Sequence, residues 1–520
     1  MWHQRARTAV WTAVAGMDRV ALALALLNAV GCALLAVVSL RGFPNSGDEY
    51  NYVWVSQRLL EGRLSLTPPP MPEMVRPFWQ FILNGQWVSA YLPSWPALMA
   101  PFSALGLPFL ANPVVSGVTV YALFSVVQRV YQDRTTGLLA ALVLATNPMV
   151  LLNGASFFPH PACLMLAVLV LRAGVGTAAV AGQTGAWALT GVLAGYMASI
   201  RPQDAVSAFL GPGLLLVAAV ALRKVRPASV LWCAGGVLLG LLPLLAHNVW
   251  STGQLTHFVQ QVADPAVTKM EFTSQAMKPR IPLLWEYREL LKTWMYPVDL
   301  AALVLLGLLL RPGPRNHKLF DLAMAVTVLP VGFWVLLFPL SPPHYNSYGP
   351  RYTYLMVLPL AVLFARGATQ LLSRRALAIV AGMVLVGVQL RQLSIQEPIY
   401  AQRITERTSL ARCIDAVKLD NAVVFLATPT GLMLPRDLLR NDPELKNPVV
   451  FGSYRSVPEV LASLPVLFPG RTAYFWEYQG PVARGTLRVL GPDGRPAAVH
   501  ATCADGAVTS GAALTGGPSP

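Results

Sequence analysis

Asp48 and Glu49 stand side by side in the run Ser46-Gly47-Asp48-Glu49-Tyr50 and are the residues best placed by type for acid–base work. Four further stretches carry polar groups beside long apolar runs. His160 follows Phe157-Phe158-Pro159, and Arg201-Pro202-Gln203-Asp204 joins two apolar segments. His247-Asn248 ends another, and Tyr345-Asn346-Ser347-Tyr348-Gly349-Pro350-Arg351-Tyr352 precedes a late one. Ionisable groups at the hydrocarbon boundary are costly, so their default reading is functional. A carboxylate, two arginines, histidines and many aromatics suit a phosphorylated, lipid-borne, sugar-like ligand. Arg grips phosphate with two parallel N–H groups, and aromatic faces pack on sugar rings.

The elements that must hold these groups follow from composition. The chain has 520 residues, 55% hydrophobic and only 12% charged, with a mean hydropathy of +0.52 and a net charge of +15. Soluble domains carry about 25% charged residues. So few charges cannot solvate a 56.1 kDa surface, which excludes soluble and disordered classes and leaves a polytopic membrane protein. About eleven apolar segments read as transmembrane helices: 20–40, 113–131, 135–153, 160–175, 185–200, 205–222, 229–250, 299–311, 319–340, 352–366 and 377–393. No segment alternates with period two over a barrel strand's length. The first segment is long and lacks a small-residue cleavage site, so it is not read as a signal peptide.

Basic residues orient these helices. Alternate connectors, with the N-terminal stretch, hold 15 basic residues against Asp18, Asp133 and Asp321, whereas the opposite short connectors hold only Arg201 and Arg351. The basic side is therefore expected in the cytoplasm, with the N-terminus. The +15 is then a topology signal and not a nucleic-acid footprint. An odd helix count leaves the C-terminus outside.

Three large outer pieces result: 41–112, 251–298 and 394–520. In the first, Tyr50, Tyr52, Trp54, Leu59 and Leu60 interleave with Gln57, Arg58, Glu61 and Arg63, as in an amphipathic juxtamembrane helix closed by Gly62. The second carries Lys269, Lys278, Arg280 and Trp285 and could act as a lid. The third reads as a small α/β domain over 394–510, with strands at Asn421–Ala427, Pro448–Phe451 and Arg471–Tyr478, then a disordered tail over 511–520. Cys413 and Cys503 both fall in this oxidisable piece and are expected to form a disulfide. Cys32, Cys163 and Cys233 read as packing residues.

Together these residues resemble the GT-C glycosyltransferases, most closely the family-39-like group of protein O-mannosyltransferases and lipid A aminoarabinose transferases. The Asp48-Glu49 pair before a surface helix carries the likeness. Leu92-Pro93-Ser94-Trp95-Pro96, the stretch Asn153–His160 and the Tyr-Gly-Pro-Arg-Tyr run at 348–352 add to it. The Lys-Pro-Pro-Leu run of many members is absent. The resemblance covers about 20–370 and implies an all-α GT-C-like module over 1–393 in a bacterial inner (plasma) membrane. It implies a polyprenyl-phosphate-linked sugar donor, inverting transfer to a lipid, cell-wall glycan or protein hydroxyl, and Asp48 as general base. Glu49 would tune Asp48 or orient the acceptor, and Asp48 and Glu49 could together hold one divalent metal; no other cofactor is implied. Arg201 and Arg351 would neutralise the leaving phosphate, with His160 and His247 beside them. Tyr50, Tyr345, Asn346 and Tyr348 would touch the sugars.

Plain readings stand beside these. Asp48 and Glu49 could simply cap a helix, and Arg201 could pair only with Asp204. Arg351 could snorkel to headgroups, and the histidines could be satisfied interface residues. A transporter or flippase of a lipid-linked or anionic substrate is the alternative function. It would favour mid-membrane ionisable groups and an internal repeat, neither of which is seen.

Overall fold

The structure, a computed structural model, describes residues 18–178, 184–223, 225–263, 281–294, 298–330, 348–372, 374–426, 438–442, 444–454, 456–479, 484–491 and 493–511. It divides into two compact units. One comprises Met1–Val38, Leu92–His247 and Lys269–Glu397, and the other Ser39–Tyr91, Asn248–Thr268 and Pro398–Pro520.

The first unit is helical. Among the described residues, six helices are long and apolar enough to cross a membrane: Arg19–Ser39, Pro108–Tyr131, Pro202–Ala221, Pro227–Thr252, Arg351–Leu371 and Arg375–Val417. A seventh crossing arises if Arg134–Thr146 and Pro148–Gly154, bent by 59°, count as one. The break has a local cause. Pro148 cannot donate a backbone hydrogen bond, and the Asn147 side chain accepts from Met149 N and Val150 N, starting a new helix. His160–Gly174, Gly185–Ile200 and Ala301–Leu310 are apolar but shorter. The expected segment 319–340 is helical over Arg315–Val326, and its part beyond 330 lies outside the described residues. The last expected segment, 377–393, opens a helix of 43 residues, Arg375–Val417.

Packing in this unit combines buried small residues and a few polar bonds, as expected where lipid removes the hydrophobic drive between helices. A Cβ at Gly191 or Gly195 would lie 2.0–2.1 Å from the carbonyl oxygens of Cys233 or Val237, so the backbones of two helices touch there. Gly236 and Gly240 meet Ala188 and Val192 reciprocally at 2.2–2.3 Å. Across other pairs, Asn28 Nδ2 donates to Ala145 O at 2.8 Å, and Thr146 Oγ1 donates to Gln389 Oε1 at 2.6 Å. Leu231 and Leu238, more than 60% exposed, present apolar surface outward as a lipid-facing helix must.

The second unit is built from three distant stretches of chain. Strands β1 (Ser65–Leu66), β2 (Gln80–Leu83) and β3 (Gln86–Ser89) form an antiparallel sheet in the order β1-β3-β2. Strands β4 (Ala422–Leu426), β5 (Val449–Ser453), β6 (Thr472–Tyr478), β7 (Arg484–Leu490), β8 (Pro496–Ala504) and β9 (Ala507–Gly511) form a sheet ordered β5-β4-β6-β7-β8-β9. Its first three strands are parallel and the rest antiparallel. Every residue of β4 is buried, which is why it reads as an unbroken apolar run. Met74, Val75 and Trp87 of the first loop share one core with Phe425, Val450, Phe468 and Phe475. The C-terminal piece from Pro398 therefore folds together with Ser39–Tyr91 and not alone. A disulfide joins Cys413 to Cys503, tying the end of the long helix to β8.

Candidate active site

The Gly47–Leu60 helix begins at Ser46, whose hydroxyl accepts from Glu49 N at 3.2 Å. Glu49, fully buried, reaches back: its Oε2 accepts from Asn45 N at 2.8 Å and from Ser46 Oγ at 3.4 Å. This is a capping box displaced by one residue. The capping reading thus describes Glu49. Asp48, its neighbour, is only half-buried, and the Tyr91 hydroxyl donates to its Oδ1 at 2.6 Å. Two adjacent carboxylates therefore have different surroundings.

The loop before this helix is braced by cations from the C-terminal part of the same unit. Arg407 donates to Asn45 O, and Arg440 Nη2 donates to Pro44 O at 2.5 Å. The Arg440 guanidinium also lies 3.9 Å above the Phe43 ring and 5.4 Å from that of Tyr50. Burial pushes the Tyr50 hydroxyl up to about 12 despite the nearby Arg440 and Arg58, so it stays protonated and donates to Asn441 O at 3.3 Å. Asn51 fixes the helix from below: its Nδ2 donates to Gly47 O and Phe78 O, and its Oδ1 accepts from Ser89 Oγ at 2.9 Å.

The other predicted residues lie in the first unit. The backbone turn leading to His160 is held by three side chains. Asn112 Nδ2 donates to Ser156 O and Phe158 O, Trp95 Nε1 donates to Phe157 O at 2.8 Å, and Ser156 Oγ accepts from Phe158 N. His160 is buried between Phe158 and Tyr354, at ring distances of 5.6 and 5.9 Å, and among the described residues neither ring nitrogen has a hydrogen-bond partner. Arg201 and Arg351 are both close enough for their charges to act on it. Arg351 lies 4.6 Å above Phe158 and 5.3 Å from the Tyr352 ring. The Arg201 guanidinium donates to Asp204 at 2.8 Å, so the plain ion-pair reading of Arg201 holds at least in part.

Gly349 needs its lack of a side chain twice over. Its φ is +85°, and a Cβ would meet the Trp294 ring at 2.9 Å. Tyr348 is fully buried against Phe158, and its carbonyl accepts from Asn153 Nδ2 at 2.8 Å. His247 is buried near the end of the Pro227–Thr252 helix. Tyr345 and Asn346 lie outside the described residues, as do Lys269, Lys278 and Arg280. Trp285 is 61% exposed, with Arg288 stacked 5.3 Å from its ring.

So the structure brings together His160, Arg201, Arg351 and Tyr348 in one unit, and Asp48, Glu49 and Tyr50 in the other. The sequence reading missed Tyr91, Arg407 and Arg440 around the carboxylates and Tyr354 beside His160. Tyr91 directly precedes the quoted Leu92–Pro96 motif, the one local signal that could have found it. Among the described residues, no group of three His, Cys, Asp or Glu side chains could hold a metal ion.

No protein-family model matches the chain, and no curated protein sequence matches it. Among solved structures, it is similar to ArnT from Cupriavidus metallidurans bound to undecaprenyl phosphate, with a TM-score of 0.50. Identity is 11%, over 86% of this chain and 92% of that one. The fold is that of the GT-C glycosyltransferases. ArnT in the apo state gives a TM-score of 0.48 at 10% identity, covering 82% of this chain and 88% of that one. The oligosaccharyltransferase of Archaeoglobus fulgidus in complex with Zn and sulfate gives 0.44 at 10% identity, with 72% and 53% covered.

Proposed function

We propose that the protein is an inverting membrane glycosyltransferase with Asp48 as general base. It moves a sugar from a polyprenyl-phosphate donor to a hydroxyl acceptor on the outer face of a bacterial inner membrane. The observation that carries this is the division of labour between the two carboxylates. Glu49 is consumed by the helix start, whereas Asp48 stays half-exposed and oriented by Tyr91. A base must be reachable and held in one orientation, and Asp48 meets both demands. The GT-C fold and the undecaprenyl phosphate bound to ArnT support a polyprenyl-linked donor.

In the reaction the acceptor hydroxyl attacks the anomeric carbon, and its proton passes to an Asp48 carboxylate oxygen. The bond from that carbon to the phosphate oxygen breaks, and the electron pair leaves on the phosphate. That leaving group is already an anion, so it needs cations and no strong acid. Arg351 is assigned to it first, because stacking uses the guanidinium face while the N–H donors lie in its plane. Arg201, shared with Asp204, adds to the field, and His160 and His247 are placed beside the phosphate or the sugar. Tyr50, Tyr345 and Asn346 are assigned to the sugars. Tyr348, also assigned to the sugars, is buried against Phe158, the ring over which Arg351 lies. The shorter apolar helices are proposed to complete about eleven crossings.

Purified protein incubated with labelled polyprenyl-phosphate sugars tests this reading against a transporter or flippase. Transfer of label to a hydroxyl acceptor is expected, and movement of intact donor lipid with no transfer would overturn it.

A further inference from the structure

At the end of the helical unit remote from His160 there is a second cationic cluster, which the proposed reaction does not use. The Ala111–Tyr131 helix spans the unit: Asn112 bonds to the turn before His160, and Tyr131, roughly 30 Å further on at 1.5 Å per residue, lines a cavity. The cavity holds about 190 Å³ and is lined by Tyr131, Arg311, His317, Lys318, Asp321 and Arg366. At roughly 30 Å³ per water this is room for about six waters, or for one phosphate with part of its hydration.

Its charges do not balance. Three cations, Arg311, Lys318 and Arg366, face one carboxylate, Asp321, which already accepts from the Tyr131 hydroxyl. Arg366 is only 7% exposed, so it is not a residue snorkelling to headgroups. Its guanidinium lies 4.4 Å above the Tyr131 ring and donates to His317 Nδ1 at 3.2 Å, while its buried Nε has no hydrogen-bond partner among the described residues. Lys318 Nζ donates to Leu309 O at 2.6 Å, which fixes the ammonium at the cavity wall. The buried Arg366 donor is costly to leave unmatched, and Arg311 and Lys318, on the exposed side, add an excess of positive charge that favours an anion there.

We propose that this cavity binds a phosphate group, as inorganic phosphate or as a lipid phosphate monoester, at the end of the helical unit remote from His160. A phosphate monoester carries a charge of about −1.5 to −2 at pH 7, which matches the excess of two cations. Its three free oxygens suit the forked donors of two arginines better than a planar carboxylate does.

Equilibrium dialysis of the full chain in detergent against radiolabelled inorganic phosphate, and thermal shifts in phosphatidylcholine nanodiscs with and without phosphatidic acid, test this. Arg351→Ala serves as the background, so that any phosphate at the proposed donor site is removed first. One saturable ligand per chain is expected in that background, weakened about a hundredfold by Arg311→Gln with Lys318→Gln, since each of the two charged hydrogen bonds lost is worth about a decade. Arg366→Gln is expected to remove it; should that variant not fold, the exposed-side pair still decides. Saturation by inorganic phosphate assigns a soluble ligand, and saturation by phosphatidic acid alone assigns a lipid. No saturable response to either, or binding unchanged in the Arg311→Gln, Lys318→Gln variant, overturns the proposal. Loss of all binding on Arg351→Ala alone would also overturn it, by placing the phosphate at the other cluster.

Discussion

Replacing Asp48 and Glu49 separately by their amides should give opposite phenotypes, although the residues are adjacent. Asp48→Asn keeps the shape and an oxygen that accepts from the Tyr91 hydroxyl, now 2.6 Å away, so the local geometry survives. It removes the proton acceptor. A positioned general base contributes about 10²–10⁴ in rate, or roughly 3–5 kcal/mol of barrier at 1.36 kcal/mol per decade. Transfer should therefore fall at least a hundredfold while thermal unfolding stays unchanged. Glu49→Gln acts on the helix start. It weakens the charge-assisted bonds to Asn45 N at 2.8 Å and Ser46 Oγ, and removes a negative charge from the first turn. Those terms together come to about 2 kcal/mol. For a unit of this size that is a fall of about 4–8 °C in the unfolding midpoint. Initial rates with a labelled donor and unfolding followed by tryptophan fluorescence read the two effects. Near-normal turnover in Asp48→Asn would remove it as the base. A destabilised Asp48→Asn beside an unaffected Glu49→Gln would refute the division of roles itself.

Other outcomes follow from single contacts. Arg351→Ala should weaken donor-lipid binding by about tenfold or more and leave acceptor affinity unchanged, measured by titration with each separately. Gly349→Ala combines a left-handed φ of +85° with a 2.9 Å clash against Trp294, so it should cost about 1–3 kcal/mol and alter Trp294 fluorescence. Cys413→Ser should lower the stability of the unit holding the sheets by up to about 4–5 kcal/mol, because the disulfide spans 90 residues; reductant should reproduce the loss in the parent protein and not in the variant. Gly195→Leu should separate two helices whose backbones touch and reduce the yield of folded protein on size exclusion.

The parts of this fold that the sequence made legible are those set by local composition. Apolar runs of membrane length mark the helices, and an unbroken run marks β4 because that strand is buried on both faces. Ser46 and Glu49, three residues apart, announce a capped helix without telling which carboxylate does the capping. What stayed hidden depends on distant contacts. Nothing local says that Met74 and Trp87 pack on Phe425 and Phe475, some 350 residues away, or that Arg440 braces Pro44. The long helix runs past its apolar portion through Arg391, Glu397 and Pro398, where hydropathy gives no signal for helix. Strands β7 to β9 are exposed over much of their length and shift register at bulges, so their alternation is weak.

The scarcity of charge explains why individual charged residues can be read so closely here. In a water-soluble protein most charged side chains solvate the surface, and a substitution there changes stability by under about 0.5 kcal/mol. In this chain only 12% of residues are charged, and several of those are buried with a defined partner. Glu49 holds Asn45, Asp204 holds Arg201, Asp321 holds Tyr131, Arg407 holds Asn45 and Arg366 holds His317. Removing any one leaves a buried donor or acceptor unmatched, at a cost of about 1–3 kcal/mol or more. Asp48 differs because it is half-exposed, so its charge is less costly to lose for the fold than Glu49's. A scan of the buried carboxylates to amides should therefore lower stability at Glu49, Asp204 and Asp321 and lower only turnover at Asp48. If Asp48→Asn fell among the destabilised variants with stability and rate reduced in proportion, its carboxylate would be a structural group like the other three.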